Sequence, residues 1–452
     1  MSAPTRRGFV TSLAVLGAAA LASCGKKKTA PTRPGGGGVI SEKASATVFR
    51  AVNGSPGNNL DRVLALMGGV RVIFGEDDVV ILKPNLQWYN QGAPNIAAME
   101  RLITLIMDRP GGFRGEVVLA ENIHRGAKPW ERAGWAMPFV RNSDLPGVRN
   151  YNELAALLKK RYGDRFSVCH LIDVGSGGKR VHSPADGTGC VICDGTGGAP
   201  LVSIDNGLQD EKRRVTVMSY PIIMTDRGTL VDYRKGVWEK GSYTGQPVKF
   251  VNCAALNHHS VYCGVSSAVK NYLGVSDLSG GSDPFRAGRL IGDYYNFHSF
   301  PFNGNAKGPV PGMLGAEVGH FLKTVRRPAL NITTAECCGL VDRLGPPVAW
   351  TRAVAASTDP VALDFHTAKY VLFANSGISL HDPENRKSPT AQYLRECARV
   401  GGYIYDEARV EVMSFDLAAG KRQADGELGV RADREWGGNL RSLMKFAILR
   451  VL

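Results

Sequence analysis

The chain has 452 residues, a formal net charge of +14 at pH 7 and a hydrophobic share of 44%. This composition is normal for a globular protein, and the length is enough to bury one large core or to form two lobes. The Lys and Arg residues form no cluster with interleaved aromatic side chains, which excludes the usual nucleic-acid-binding classes. The positive charge favours only a mild attraction to anionic surfaces or substrates.

The N-terminus has the pattern of a bacterial export signal at residues 1–23. Arg6 and Arg7 precede a short apolar stretch that ends at Cys24. A positive region, a short apolar region and small residues at its end are the marks of a removable signal, whereas spanning a bilayer takes about 20 apolar residues. The Thr-Arg-Arg-x-Phe pattern is similar to the twin-arginine consensus. We expect the twin-arginine translocase to export the chain after it folds in the cytoplasm. The alternative is an ordinary hydrophobic segment with a chance arginine pair.

The end of this signal predicts a lipid anchor. The run Leu-Ala-Ser-Cys at 21–24 resembles a bacterial lipobox, in which the Cys is acylated and becomes the first residue of the mature chain. We expect Cys24 to attach the protein to membrane lipid, at the periplasmic or outer face of a bacterial membrane. Residues 24–45 predict a flexible tether, because Gly, Pro and Lys dominate them. The tether lysines either favour an anionic lipid surface or only keep the spacer solvated.

The body, residues 46–452, alternates between strand and helix patterns. Near-continuous apolar runs, typical of a sheet covered on both faces, predict strands at 79–86, 116–122, 215–224, 248–256 and 350–357. Helical periodicity predicts helices at 96–108, 151–163, 361–373 and 390–401. We therefore predict an α/β fold with a mainly parallel sheet, helices on both faces, and irregular Gly-rich insertions at 176–207 and 279–311.

Polar residues follow several of the predicted strands. In an open parallel sheet, ligands bind in the crevice beyond the carboxyl ends of the strands. Lys83 and Asn85 end one strand, and His259 follows another. The alternative for Lys83 is a strand-end lysine whose charged group reaches solvent. Asp359 opens a predicted helix, where it either binds a ligand or is only the N-cap.

A segment of small residues follows His259. Residues 264–281 combine those small residues with Lys270 and Asn271. Small side chains allow a helix to lie close to the sheet, and the Lys and Asn side chains could reach a phosphate or a carboxylate. The segment therefore adds Lys270 and Asn271 to the residues expected to bind a small anionic substrate or cofactor.

Three segments resemble, in order, the signatures of domain-of-unknown-function family 362. They are VVILKPNL at 79–86, NHHSVYCGVSSAVKNYLG at 257–274 and ASTDPVALD at 356–364. The resemblance covers about residues 79–373 and implies an α/β fold. It implies functional roles for the residues that match the signatures directly: Asn85, His259, Lys270, Asn271, Asp359 and Asp364. The chain departs from the family at Asn257, where relatives usually have Lys, and at Thr334-Ala335, where relatives tend to have Asp-Ala.

The cofactor prediction depends on the cysteines. Cys190 and Cys193 form a C-x-x-C motif followed by Gly-x-Gly, similar to one repeat of a chaperone zinc element. Two thiolates are half of what a structural zinc needs, so a metal site, a local disulfide or redox pair, and two unlinked cysteines all stay open. Some members of the family carry iron–sulfur modules, but the chain lacks the C-x₂-C-x₂-C-x₃-C run of such modules.

Two functions are compatible with these patterns. The first is an exported enzyme that binds an anionic substrate or cofactor in the cleft, with His259 or Asp364 in proton transfer and with zinc or an iron–sulfur centre as candidate cofactors. The second is a lipid-tethered binding protein or assembly factor that uses the same cleft without turnover.

Overall fold

A nine-stranded sheet forms the middle of the computed structural model, which describes residues 45–122, 128–171, 179–205, 215–276, 295–296, 311–437 and 439–451. In chain order, its strands are β1 Ala46–Val52, β2 Val79–Lys83, β3 Glu116–Glu121, β4 Phe166–His170, β5 Val248–Ala255, β6 Leu330–Ala335, β7 Ala353–Ser357, β8 Val410–Asp416 and β9 Lys421–Arg422. The order across the sheet is β9-β8-β1-β7-β6-β5-β2-β3-β4. Cys24, the predicted export signal and the predicted tether up to residue 44 lie outside the described residues.

The sheet is mainly parallel, as predicted. The neighbours β6, β5, β2, β3 and β4 all run in one direction, so their carboxyl ends share one edge. Strand β7 runs antiparallel to both of its neighbours, β1 and β6. The strand predicted at 350–357 is shorter than expected, because Val348–Trp350 pairs in a separate small sheet.

Alternate side chains of the main sheet point into two different cores. Val79 and Ile81 belong to one hydrophobic cluster, and Val80 and Leu82 belong to another. The first cluster includes helices Pro311–Thr324 and Pro389–Gly401, and the second includes Pro56–Leu66, Ile96–Met107 and Tyr151–Tyr162. Both faces are therefore covered, which confirms the predicted α/β class and explains the near-continuous apolar runs.

The remaining helices are shorter, or lie outside these two layers. They are Val70–Ile73, Ala133–Ala136, Ala268–Asn271, Pro360–Thr367, Ala374–Ser376 and Leu440–Val451. The helix predicted at 361–373 is an α-helix only to Thr367, and a π-helix continues it over Ala368–Phe373. In the described part of the chain, no helix is both long and apolar enough to cross a membrane.

A smaller antiparallel sheet packs within the same core as Val79 and Ile81. Its strands, in order, are Ser242–Tyr243, Gly236–Glu239, Leu230–Asp232, Ser219–Met224 and Gly189–Ile192. The expectation of an irregular insertion at 176–207 was therefore wrong in part, because the backbone of Gly189–Ile192 pairs with Ser219–Met224. Ala44–Leu452 forms one compact unit, which contains all four hydrophobic clusters.

Three further small sheets complete the described strands. Ser203–Asp205 and Tyr295–Asn296 pair with Val215–Val217, so the strand predicted at 215–224 is divided between two sheets. The other pairings join Cys338–Gly339, Val348–Trp350 and Asp433–Glu435 in one sheet, and Asn257–His258 with Val265–Ser266 in another. Apart from Tyr295–Asn296 and Pro311, the predicted insertion at 279–311 lies outside the described residues.

Helices Pro311–Thr324 and Pro389–Gly401 pack closely through glycines. A Cβ atom on Gly315 would overlap the carbonyl oxygen of Tyr393, and one on Gly319 would lie 2.7 Å from the carbonyl oxygen of Cys397. A Cβ atom on Gly312 would meet only the flexible side chain of Glu396, at 3.3 Å. The close approach of the two helices therefore depends on Gly315 and Gly319 but not on Gly312.

We predict that Gly315→Ala lowers the free energy of unfolding by about 1–3 kcal/mol, because the two helices must separate to admit the methyl group. Gly312→Ala is the matched control in the same helix and should be neutral or slightly stabilising, because Ala favours a helix by up to about 1 kcal/mol. Urea unfolding of both variants measures the difference, and equal stabilities would show that the glycines do not set the helix spacing.

Candidate functional site

A buried ion pair joins the carboxyl ends of β2 and β3. The Nζ atom of Lys83 donates to Oε2 of Glu121 at 2.6 Å, to Oδ1 of Asn271 at 2.8 Å and to the carbonyl oxygen of Pro84 at 2.9 Å. The side chains of Lys83 and Glu121 are only 1% and 2% exposed, so the alternative in which Lys83 reaches solvent was wrong. All three hydrogens of the ammonium group are used within the protein.

Burial changes the proton affinity of both partners. It raises the pKa of Glu121 to about 7, although the nearby charge of Lys83 opposes this rise. Burial also lowers the pKa of Lys83, against the effect of Glu121. Burial therefore moves the pKa values of both side chains toward neutral pH, a shift that is typical of groups at functional sites.

Asn271 and Gly274 complete the surroundings of this pair. Asn271 also donates through Nδ2 to Oδ1 of Asn252 at 2.8 Å, so its amide is fixed from both sides. A Cβ atom on Gly274 would lie 2.6 Å from Nζ of Lys83 and 2.7 Å from Oε1 of Glu121. The Lys-Asn-x-x-Gly motif thus supplies both a partner for Lys83 and the space that the pair needs.

A row of buried amides continues from Asn271 across the sheet. Asn252 on β5 donates to Oδ1 of Asn331 on β6 at 3.1 Å, and the hydroxyl of Tyr272 donates to the same oxygen at 2.6 Å. Asn252 and Asn331 are fully buried within apolar runs. The sequence reading did not single out either residue. The signal that was available was one asparagine with an apolar residue on each side in each of the two strands.

Asp364 holds the turn that carries Lys270 and Asn271. Its two carboxylate oxygens accept the backbone N–H groups of Ala268 at 2.7 Å and Val269 at 2.8 Å. The side chain is fully buried, and burial raises its pKa to about 7. These contacts favour a positioning role for Asp364 over the proton transfer expected from the sequence.

Asp359 is the N-cap of the helix Pro360–Thr367. Its Oδ1 atom accepts the N–H groups of Val361 and Ala362, both at 2.9 Å, and its Oδ2 atom accepts the N–H of Ile404 at 2.8 Å. Both oxygens are therefore occupied by backbone donors, and the capping alternative explains this residue better than ligand binding.

A half-buried cationic cluster lies next to the ion pair. We define it as Lys270, Arg343, His259 and Trp88. The guanidinium carbon of Arg343 lies 4.6 Å from the ring centroid of Trp88, and its Nη1 atom donates to the carbonyl oxygen of His259 at 3.1 Å. Burial lowers the pKa of Lys270 to about 8, and the positive charges of Arg343 and Lys83 contribute to the change.

His259 and Asn85 both lie at this edge of the sheet. The Nδ1 atom of His259 lies 2.9 Å from Oγ of Ser260, and the ring is half-buried. Asn85 is also half-buried and follows β2 by two residues. Arg343 was missed in the sequence because it does not directly follow a predicted strand and belongs to none of the three signatures.

The two departures from the family signatures have structural partners in this chain. Asn257 is buried, and its Oδ1 atom accepts the N–H of Gly339 at 3.0 Å. The hydroxyl of Thr334 accepts the N–H of Asn95 at 3.2 Å. Both residues therefore stabilise loops at the carboxyl edge of the sheet.

The C-x-x-C motif belongs to the smaller sheet and not to the main sheet. Cys190 belongs to the strand Gly189–Ile192 of the smaller sheet, and Cys193 directly follows that strand. Both thiols are buried, and no disulfide joins these two described residues. Burial raises the pKa of Cys193, which disfavours the thiolate that zinc requires. Among the residues that the structure describes, no group of three or more His, Cys, Asp or Glu side chains is arranged to hold a metal ion.

No family model, no curated protein and no solved structure matches the chain. The resemblance to domain-of-unknown-function family 362 therefore depends on the three segments quoted above. The fold brings those segments together, because Lys83 from the first contacts Asn271 from the second, and Asp364 from the third binds the backbone of the second.

We predict that Lys83→Met destabilises the protein by about 3–5 kcal/mol, because it leaves the carboxylate of Glu121 buried without its partner. The double variant Lys83→Met/Glu121→Leu should regain most of that loss, since neither charge then remains buried. Arg101→Met is a control in the exposed Arg101–Asp61 pair, whose side chains are 42% and 37% exposed, and should cost at most about 1 kcal/mol. Chemical unfolding of the variants tests this, and a double variant no more stable than Lys83→Met would contradict it.

Proposed function

We propose that this protein is an exported, lipid-anchored enzyme of the kind represented by domain-of-unknown-function family 362, and that it acts on a small anionic substrate or cofactor. The observation that carries the ligand class is the cationic cluster at the carboxyl edge of the sheet. Lys270 and Arg343 are both half-buried there. Arg343 lies close enough to Lys270 for its positive charge to lower the pKa of Lys270.

Two positive side chains at one edge of the sheet favour a ligand of negative charge. Arg343 offers the planar, bidentate donor set that suits carboxylate or phosphate, while Lys270 offers a point charge. The ring of Trp88 beneath Arg343 provides a flat apolar wall. These features support a ligand with a carboxylate or phosphate group, in line with the general preference for the carboxyl edge of parallel strands.

Proton transfer is assigned to His259 in this proposal. A histidine titrates near neutral pH and is the commonest general acid or base. His259 belongs to the cluster itself, and Arg343 fixes its backbone through the carbonyl oxygen. The Lys83–Glu121 pair lies next to the cluster. Its Glu121 carboxyl group is a second group with a pKa near 7.

We predict that small anions bind with an affinity that falls as the pH rises through about 8, because Lys270 loses its proton there. The direction follows from the lowered pKa, since the free protein holds the charged form of Lys270 only below that value. The affinity of the Lys270→Arg variant should not change between about pH 7 and pH 9.5, because arginine stays charged. Calorimetric titration with sulfate, phosphate, pyrophosphate and acetate measures the affinities.

Lys270→Ala and Arg343→Ala should each weaken binding of the best anion by about tenfold or more. Lys249→Ala, a half-buried lysine at the opposite end of β5, is the control and should leave the affinity unchanged. Equal affinities in the wild type and in Lys270→Ala, or no binding of any of the four anions, would remove the anionic-ligand assignment.

The export and anchoring part of the proposal is tested separately at the N-terminus. In a bacterial host, the full chain should incorporate labelled palmitate, and Cys24→Ala should abolish the label, because acylation needs the thiol. Arg6→Lys/Arg7→Lys should keep the chain in the cytoplasm, since the translocase reads the arginine pair. Incorporation of label into Cys24→Ala, or export of the double lysine variant at the normal level, would contradict this prediction.

A further inference from the structure

An exposed apolar stripe runs along the helix Leu440–Val451 near the end of the chain. Its members are Leu440, Met444, Ile448 and Val451, with 72%, 55%, 56% and 88% of their surface exposed. Steps of four, four and three residues place these side chains within an arc of about 80° on one helical face. Four large apolar side chains in one continuous row differ from the single exposed hydrophobic residues that are normal on a protein surface.

The opposite face of the same helix is fixed to the body. Phe446 and Leu449 are buried in a hydrophobic cluster that also contains Leu340. The Nζ atom of Lys445 donates to the carbonyl oxygen of Val341 at 2.6 Å. The helix is therefore held in place by one face, and its exposed stripe points away from the core.

Positive charge borders the stripe on one side. At about 100° per residue, Arg441 lies beside the stripe, whereas the guanidinium carbon of Arg450 lies 5.7 Å from the ring centroid of Phe446, on the side of the helix that faces the body. With Lys445, these are three basic residues in a helix that has no Asp or Glu. Trp436, 44% exposed, packs against Phe446 with ring centroids 5.2 Å apart, just before the helix begins. An apolar row with a basic residue on its border and a nearby Trp is the pattern of helices that lie in the surface of a bilayer.

We infer that the stripe of the helix Leu440–Val451 docks the body onto an anionic lipid surface. The inference builds on the proposed lipid anchor, because a flexible tether of about 20 residues has an average reach of roughly 25 Å and would keep the body near the membrane. The apolar side chains would enter the boundary between headgroups and acyl chains, and Arg441 would contact the anionic headgroups. A surface made for a second copy of the chain would not need Arg441 on its border, since the charges of the two copies would repel across a two-fold axis.

The test uses the body alone, residues 44–452, which forms one compact unit with all of its hydrophobic clusters. Without Cys24 and the tether lysines, any vesicle binding belongs to the body. We expect it to co-sediment with vesicles of phosphatidylcholine containing about one third phosphatidylglycerol, and to bind pure phosphatidylcholine vesicles more weakly. Met444→Glu/Ile448→Glu should lower the affinity about tenfold or more, because two apolar side chains no longer leave water.

Val72→Glu/Val140→Glu is the matched control, with two apolar residues that are 73% and 72% exposed elsewhere on the body. It should bind vesicles as the wild type does, and circular dichroism should show that both variants fold. Arg441→Gln should reduce binding to the anionic vesicles but not to pure phosphatidylcholine.

Three results would overturn the inference. The first is that the wild-type body does not sediment with anionic vesicles. The second is that Met444→Glu/Ile448→Glu binds vesicles as tightly as the wild type, and the third is that the wild type binds neutral and anionic vesicles equally. A dimer in sedimentation velocity that the stripe variant abolishes, without vesicle binding, would assign the stripe to a second copy of the chain. Because the body lacks Cys24, these outcomes leave the palmitate test of the anchor unaffected, and failure of the anchor leaves the vesicle result standing.

Discussion

The buried ion pair between Lys83 and Glu121 is the constraint on which the carboxyl edge of the sheet depends. Removing two charges from water is expensive, and their mutual attraction offsets this only when the remaining hydrogen-bonding groups are also satisfied. The chain meets this requirement with Asn271 and the carbonyl oxygen of Pro84, which occupy the other two hydrogens of Lys83. Gly274 lacks a side chain because no further atom fits beside the pair. The residues around the pair are therefore explained by the need to compensate for its removal from water.

The same constraint links segments that are far apart along the chain. Lys83 and Asn271 are separated by 188 positions, and the amide row continues from Asn271 through Asn252 to Asn331. Asp364 then fixes the short helix that holds Lys270 and Asn271 in their places. A buried polar network of this kind is stable only when every member is satisfied, which makes the arrangement rigid. Lys270 is thus held by a helix that is fixed to this buried network.

The sequence was sufficient to locate β2, β3, β5 and β7, and insufficient for the other strands of the main sheet and for the contacts between side chains. Apolar runs located β2, β3 and β5 to within a few residues, because burial on both faces leaves a strong local signal. The partner of Lys83 could not be predicted, since which strands become neighbours depends on long-range pairing. Arg343 was missed for a related reason, because its position depends on how the loop after β6 folds back over Trp88 and His259. Asp359 and Asp364 show a further limit, since a motif does not distinguish a residue that binds a ligand from one that holds the backbone, and both side chains accept backbone N–H groups.

The position of β1 has a consequence for the timing of folding. This strand is the first element of the body, yet it lies inside the sheet and pairs in parallel with β8, Val410–Asp416. Arg50 on β1 donates to the hydroxyl of Ser414 at 2.9 Å, across 364 positions of sequence. Closure of so long a loop is slow, and it must wait until the ribosome has released almost the entire chain. The strand next to the tether is therefore among the last to find its neighbour. Under the proposed twin-arginine route, a chain in which β1 is still unpaired would not yet be folded, and it would have to complete this pairing before export.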